Sequence, residues 1–280
     1  MKKYLFCNIL IVIQLLYAGF LFGQDNNVSQ IFVKRANALN VNERIAPDAR
    51  RFIGNVWLQQ EDINMFCDSL YFYPDNNIKA FDNVKMIKGD SIEIYSKYLI
   101  HKGNIRQSQF RRNVVLKDKS ITLFTDSLNY DIPANVAYYF NGGKIVDSTS
   151  TLISESGYYY ADEKLLFFFT NVKVENQDYT VYTDTLKYDL NTDIISFEGP
   201  TTILTDSTTL YSERGWYNTE TKHALIWQNA KYTSSEQIMW GDTIFYDHKL
   251  SYGKGYSNIE LHSIKDSLII NSDYAYHRER

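Results

Sequence analysis

Asp68, Asp126, Asp184 and Asp242 stand 58 residues apart, each opening a matched tripeptide: Asp-Ser-Leu twice, then Asp-Thr-Leu and Asp-Thr-Ile. This column of carboxylates is the strongest chemical signal in the chain, and two readings of it stand. Stacked acids a strand apart repel one another, and bound cations would relieve that repulsion, as in calcium-binding β-rolls. The same acids at bends would instead accept backbone N–H groups in Asx-type hydrogen bonds. A calcium roll brings Gly-rich nonapeptides, which are absent here. Paired acids such as Asp162-Glu163 have the side chains for glycoside hydrolysis, but acid pairs are common at turns.

Other reactive residues are scattered. His101, His223, His248, His262 and His277 form no HExxH and no His-Cys cluster at metal-ligand spacing. No Gly-x-Ser-x-Gly and no phosphate-cradling glycine loop occurs. Cys67 has Thr125, Thr183 and Gly241 as its counterparts one, two and three steps on, so it reads as a core thiol rather than a nucleophile. The expectation is a protein that is not an enzyme, with no cofactor and no metal.

The elements that position these residues follow from the same step. Asn55-Val56, Asn113-Val114, Asn171-Val172 and Asn229-Ala230 keep the 58-residue period. A fixed period marks a supersecondary unit that buries its apolar face only by stacking on its neighbours. Each unit reads as strands. Asn113–Leu116 passes through Lys117-Asp118-Lys119 into Ile121–Tyr130, and Ala137–Phe140 reads as turning at Asn141-Gly142-Gly143, an Asn-Gly hairpin signal. Phe66, Asp68, Leu70 and Phe72 alternate, as do Phe124, Asp126, Leu128, Tyr130 and Tyr182, Asp184, Leu186, Tyr188. Strict alternation predicts one shared face for each set. Met65, Leu123, Val181 and Met239 are apolar on the opposite parity, which implies either burial on both faces or a bulge near the Asp that flips the register.

The bulk numbers agree with β structure: 23 Tyr against 4 Pro, with many β-branched residues. Lys2 and Lys3 precede an apolar run from Tyr4 to Phe22 with small residues near its end, so residues 1–23 read as a signal peptide cut after Gly23. An uncleaved anchor is the alternative, weakened by Asn8 and Gln14. Removing the two lysines takes the net charge from −4 to about −6, which disfavours nucleic acid as a partner. Only Cys67 remains after such a cut, so no internal disulfide forms.

Taken together, Arg51–Val56, Met65–Tyr73, Tyr138–Gly143, Ser154–Tyr159, Phe197–Thr201 and Glu213–Tyr217 resemble, in order and spacing, the OstA-like family of lipopolysaccharide-transport proteins, in its Bacteroidota branch. The likeness covers roughly residues 28 to 276. It implies an all-β fold, an elongated stacked antiparallel sheet folded over on itself (a β-taco or β-jellyroll), open along one side. One such domain would span 24–280, with repeat units at about 53–110, 111–168, 169–226 and 227–280, the last reading as cut short. It further implies a periplasmic protein whose hollow apolar groove shelters acyl chains of lipopolysaccharide or lipid A. Phe66, Leu70, Phe72, Val84, Phe124, Leu128, Tyr130, Val172, Tyr182, Leu186, Tyr188 and Ile244 are the expected lining. Lys97, Lys102, Arg106, Arg111, Arg112, Lys117 and Lys119 are candidate phosphate contacts, with an ordinary solvated face as the competing reading. The expected protein partners are other β-jellyroll transport proteins or an outer-membrane translocon, docked strand edge to strand edge, or further copies head to tail; association with the outer membrane is left open. A scaffold that self-associates edge to edge without lipid is the alternative function, and a polysaccharide-active enzyme a third.

Overall fold

The computed structural model describes residues 29–41 and 48–278; the leader expected at 1–23 lies outside them. Among the described residues, twenty antiparallel strands form one sheet. They begin with β1 (Phe32–Arg35), β2 (Ala38–Val41), β3 (Arg50–Gln60), β4 (Ile63–Phe72), β5 (Asn77–Lys88), β6 (Ile92–Lys102) and β7 (Gln107–Lys117). Next come β8 (Thr122–Asp131), β9 (Val136–Tyr139), β10 (Gly143–Val146), β11 (Thr151–Ser154), β12 (Ser156–Tyr160) and β13 (Leu165–Glu175). The sheet ends with β14 (Thr180–Asp189), β15 (Ile194–Leu204), β16 (Thr208–Asn218), β17 (His223–Ser234), β18 (Gln237–Asp247), β19 (Tyr252–Ser263) and β20 (Leu268–Arg278).

From β3 to β20 the chain meanders up and down, and each rung pairs with the rungs before and after it. Three rungs are broken in the middle. β1 and β2 both pair with β3, β9 and β10 both pair with β8, and β11 and β12 both pair with β13. The Asn141-Gly142-Gly143 segment is therefore not a hairpin. Gly142, at φ 82, kinks one rung, and the chain continues along the long β8 ladder, where both halves find partners.

The fold line of the sheet runs through the Asp column. Opposite Asp68 lies the positive-φ pair Gly54-Asn55, and the pattern recurs at Asp82-Asn83, Arg112-Asn113, Thr170-Asn171, Gln228-Asn229 and Ser257-Asn258. Asn tolerates the left-handed region better than other residues with a Cβ, which explains the recurrent Asn. At these corners two left-handed residues face one acid, one extra residue in the strand, and the sheet bends there; on β15 Gly199 alone, at φ 110, takes that place. The bend settles the parity question in favour of a flip. Along β4 the buried residues are Ile63, Met65 and Cys67, then Leu70: alternation skips one position at Asp68. The expected single face carrying Phe66, Asp68 and Leu70 is thus wrong. Phe124 and Tyr182 stand 44% and 45% exposed on the outer surface, while Leu123, Leu128, Val181 and Leu186 are buried.

Folding the sheet at its corners brings its two long rims together. The first rim holds the turns after β3, β5, β7, β10, β13, β15, β17 and β19; the second holds those after β4, β6, β8, β12, β14, β16 and β18. Between them lies one continuous core of inward side chains from both halves, including Leu58, Ile94, Phe110, Leu116, Leu128, Phe168, Leu186 and Ile244. Each such side chain contributes about 1.5–3 kcal/mol on burial, so the stacked rungs need no disulfide.

Candidate functional site

The candidate site is the interior and the seam that closes it. Inward positions in the first-rim half come from residues five, three and one before each corner acid, and in the second-rim half from two and four after it. Leu70, Val84, Leu128, Tyr130, Val172, Leu186 and Ile244 are buried inside, with Phe72 and Tyr188 partly buried against the same core. Met65, Leu123, Val181 and Met239 also line it, which strict alternation missed; their apolar character on the wrong parity was the available signal. Phe66 lies with Phe124 and Tyr182 on an outer ladder of cross-strand partners. There Trp57 stacks on Phe66 at 6.0 Å, and Lys173 and Lys231 lie over Tyr182 and Trp240 at 5.7 and 5.2 Å.

Neighbouring positions along the motif Glu-x-Gly-aromatic-Tyr explain how large rings fit the interior. A Cβ on Gly215 would sit 2.4 Å from Phe197 Cζ, and one on Gly157 2.8 Å from Tyr139 Cε1. Glycine two residues after the corner Glu therefore makes space for an aromatic ring from the next rung. Tyr139 hydrogen-bonds Ser154 at 2.7 Å inside the core, and burial pushes its phenol up to about 12.

Asp68, Asp126 and Asp242 of the column accept hydrogen bonds. Asn83 Nδ2 donates to Asp68 at 2.8 Å, Asn258 Nδ2 to Asp242 at 2.7 Å, and the Asn113 backbone N–H to Asp126 at 3.3 Å. Glu155 and Glu213 occupy the intervening corners and accept from Asn171 at 2.5 Å and Asn229 at 2.8 Å. Successive members of the Asp column lie four strands apart, about 19 Å at the usual strand spacing, well past the range of unscreened repulsion. Among the described residues no three His, Cys, Asp or Glu side chains converge as metal ligands. Cys67 is buried, and desolvation, helped by the charge of Asp68, pushes its thiol up to about 12.

Across the seam, polar groups of one rim reach the other. Gln60 Nε2 donates to Gly103 O at 3.1 Å and Ser29 O at 2.9 Å, while its Oε1 lies 2.9 Å from His101 Nε2. His101 Nδ1 lies 2.8 Å from Ser108 Oγ, and burial lowers this imidazole from 6.5 to about 4, helped by nearby Arg106. Arg106 pairs with Glu61 at 2.9 Å, Lys88 reaches Ile132 O at 3.4 Å, and Tyr159 donates to Asp118. Farther along, Tyr179 meets Tyr217 edge-on at 4.8 Å. The interior is packed rather than hollow. A void of about 30 Å³ touches Leu166, Phe168, Val174 and Tyr188, and one of about 20 Å³ touches Val181, Leu210 and Tyr217. Such spaces hold about one or two waters, not an acyl chain.

The basic residues are spread over three lines. Lys102 and Arg106 stand on the second rim, Lys117 and Lys119 on the first, and Lys97 and Arg112 at the corner. Arg111 lies on the outer face, its guanidinium donating to Phe110 O at 2.8 Å and Asn129 Oδ1 at 3.0 Å. At the sheet ends, β1 and β2 present Phe32, Leu39 and Val41 to solvent, and β20 presents Leu268, Ile269, Tyr274 and Tyr276.

No curated protein matches this chain. Among solved structures it is similar to the crystal structure of LptH, the LptA-homologous periplasmic component of the lipopolysaccharide transport device of Pseudomonas aeruginosa, at 12% identity and a TM-score of 0.38. That match covers 47% of this chain and 95% of the other. Residues 28–184 and 176–242 match the family described as OstA-like protein, well over half of the sequence. The chain belongs to the OstA-like protein family.

Proposed function

We propose that this protein is a non-enzymatic, periplasmic lipopolysaccharide-binding component of transport to the outer membrane, sheltering acyl chains between the two halves of its folded sheet. The observation that carries this reading is the continuous apolar interior bounded by two rims that meet through side-chain contacts, not through a backbone ladder. A closed barrel would have to break strand pairing to admit a lipid; here parting the rims breaks side-chain contacts and no strand pairing. Acyl chains would then replace the contacts between facing Leu, Val and Phe side chains. Membership of the OstA-like family agrees with this reading. Lys102, Arg106, Lys117 and Lys119 stand on the rims, where lipid A phosphates would emerge. Strand-edge docking to other β-jellyroll proteins, a translocon or further copies would use β1–β2 and β20, whose outward apolar residues stand exposed.

Gel filtration of the purified protein with labelled lipopolysaccharide tests the reading. Intact lipopolysaccharide is expected to co-elute, and its deacylated saccharide to compete poorly. Failure to co-elute, or equal competition by the deacylated form, would overturn it. Head-to-tail self-association without lipid uptake would favour the edge-pairing scaffold instead.

A further inference from the structure

The seam is held differently along its length. In the N-terminal half, buried or half-buried hydrogen bonds tie the rims together through Gln60, His101, Lys88 and Tyr159. In the C-terminal half, three successive first-rim turns close their hydrogen bonds on themselves. Asp147 Oδ1 accepts from the amides of Thr149 and Ser150, each at 2.7 Å. Asn176 Oδ1 accepts from Asp178 at 2.7 Å and Tyr179 at 2.9 Å, and Thr205 Oγ1 from the Thr208 amide at 3.0 Å. Facing these turns are Tyr188 and Thr219 across the void of about 30 Å³, and Tyr217 and His248 across that of about 20 Å³. A long ion pair, Lys222 to Asp178 at 3.8 Å, and the Tyr179–Tyr217 ring contact also cross there.

The two rims differ over this stretch as well: the first rim's turn-to-turn backbone bonds, Gly89 N to Asp62 O at 3.4 Å and Ile264 N to Glu236 O at 2.8 Å, lie outside these three turns. On the second rim each turn donates a backbone hydrogen bond to the turn before it: Leu190 N to Lys164 O at 3.0 Å, Thr219 N to Asp193 O at 2.8 Å, and His248 N to Lys222 O at 3.1 Å. Swinging the three first-rim turns outward parts ring contacts and a long ion pair but leaves their own hydrogen bonds closed. Swinging out Gln60 would strand a buried amide and a buried imidazole, a far larger penalty.

We propose that fatty acyl chains enter through the seam opposite the 147–150, 176–179 and 205–208 turns, with the first rim as the moving side and the second as the fixed rail. This assignment rests on the lipopolysaccharide reading above and locates its entry site. The small voids mark where the two halves of the core already separate, so an incoming chain widens an existing gap instead of opening a packed one.

Two tethered forms of the full chain, both with Cys7→Ser, test the assignment. Thr149→Cys with Thr219→Cys, bridged by a short bis-maleimide, locks the C-terminal seam. Glu61→Cys with Ile105→Cys, an exposed neighbour of the Arg106 that pairs with Glu61 across the seam, bridged likewise, locks the N-terminal seam. Native Cys67 stays unmodified because burial pushes its thiol up to about 12. Uptake of labelled lipopolysaccharide by the unbridged variants shows that they fold, and Ser150→Cys replaces Thr149→Cys where the first pair does not. The C-terminal bridge is expected to cut uptake about tenfold or more, as for a closed lid, while the N-terminal bridge leaves it within about twofold. Undiminished uptake with the C-terminal bridge, or loss only with the N-terminal one, overturns the entry site while leaving lipid binding in place. No uptake by the unlocked protein overturns the lipid reading itself, and the entry site with it.

Discussion

At the scale of single residues, the corner acids and their Asn partners do structural work. Asn229 sits at φ 60 and donates to Glu213 beside Gln228, which donates to the same carboxylate at 2.6 Å. Asn229→Ala loses both the hydrogen bond and tolerance of the left-handed backbone, about 2 kcal/mol together, whereas Asn229→Gly loses only the bond, about 1 kcal/mol. Urea midpoints of the two variants check this; equal midpoints would contradict the bend account. His101 supplies a second residue-scale prediction. Its folded-state pKa of about 4 lies below the ordinary 6.5, so the unfolded chain binds the extra proton first as pH falls. Stability is therefore full above about pH 6.5 and declines toward pH 4, by of order 3 kcal/mol from this group. Comparing chemical denaturation at pH 7.5 and 4.5 should show a smaller loss in His101→Gln than in the unmodified chain. The same loss in both would refute it. The acids were legible from spacing alone, because an even step survives any local irregularity. Their effect on Phe66, Phe124 and Tyr182 was not, since one skipped position at the corner reverses every outward and inward assignment on one side of it.

At the scale of elements, rim turns and interior gaps decide local stability. The second rim is stitched turn to turn, from Gly103 N to Asn76 O at 3.0 Å through to His248 N to Lys222 O at 3.1 Å. Hydrogen exchange at the Ile132, Ala161, Leu190 and Thr219 amides should be slower than at Thr149 and Asp178 on the first rim. Similar rates on both would remove the distinction between rail and moving side. Gly215→Ala should destabilise by about 1–3 kcal/mol through collision with Phe197, with Phe197→Leu relieving part of the loss in a double-mutant cycle. Strands and rim turns such as 118–121 were readable from alternation broken by polar steps. The broken rungs were not. Asn-Gly between apolar runs ordinarily turns the chain back, and only the long partner strand β8 explains why it runs on.

At the scale of the whole molecule, a folded-over sheet follows from two local rules applied along its length: one acid against left-handed residues, two at most corners, and inward apolar residues in both halves. The fold class was legible through repeat and family likeness together. The seam was not, because its partners, such as Gln60 with Gly103 and Asp118 with Tyr159, lie 43 and 41 residues apart and share no motif. Nor was the close packing of the interior, which depends on rings such as Tyr139 and Phe197 filling the space over glycines. The lipid carriage proposed here requires the rims to part, and the inner and outer aromatic residues must then differ in what they touch. Photocrosslinking tests this most directly, with p-benzoylphenylalanine placed either at Tyr188 inside or at Phe124 and Tyr182 outside, in the presence of lipopolysaccharide. Capture at Tyr188 with little at the two outer positions is the predicted result; equal capture at all three, or none at Tyr188, would contradict it.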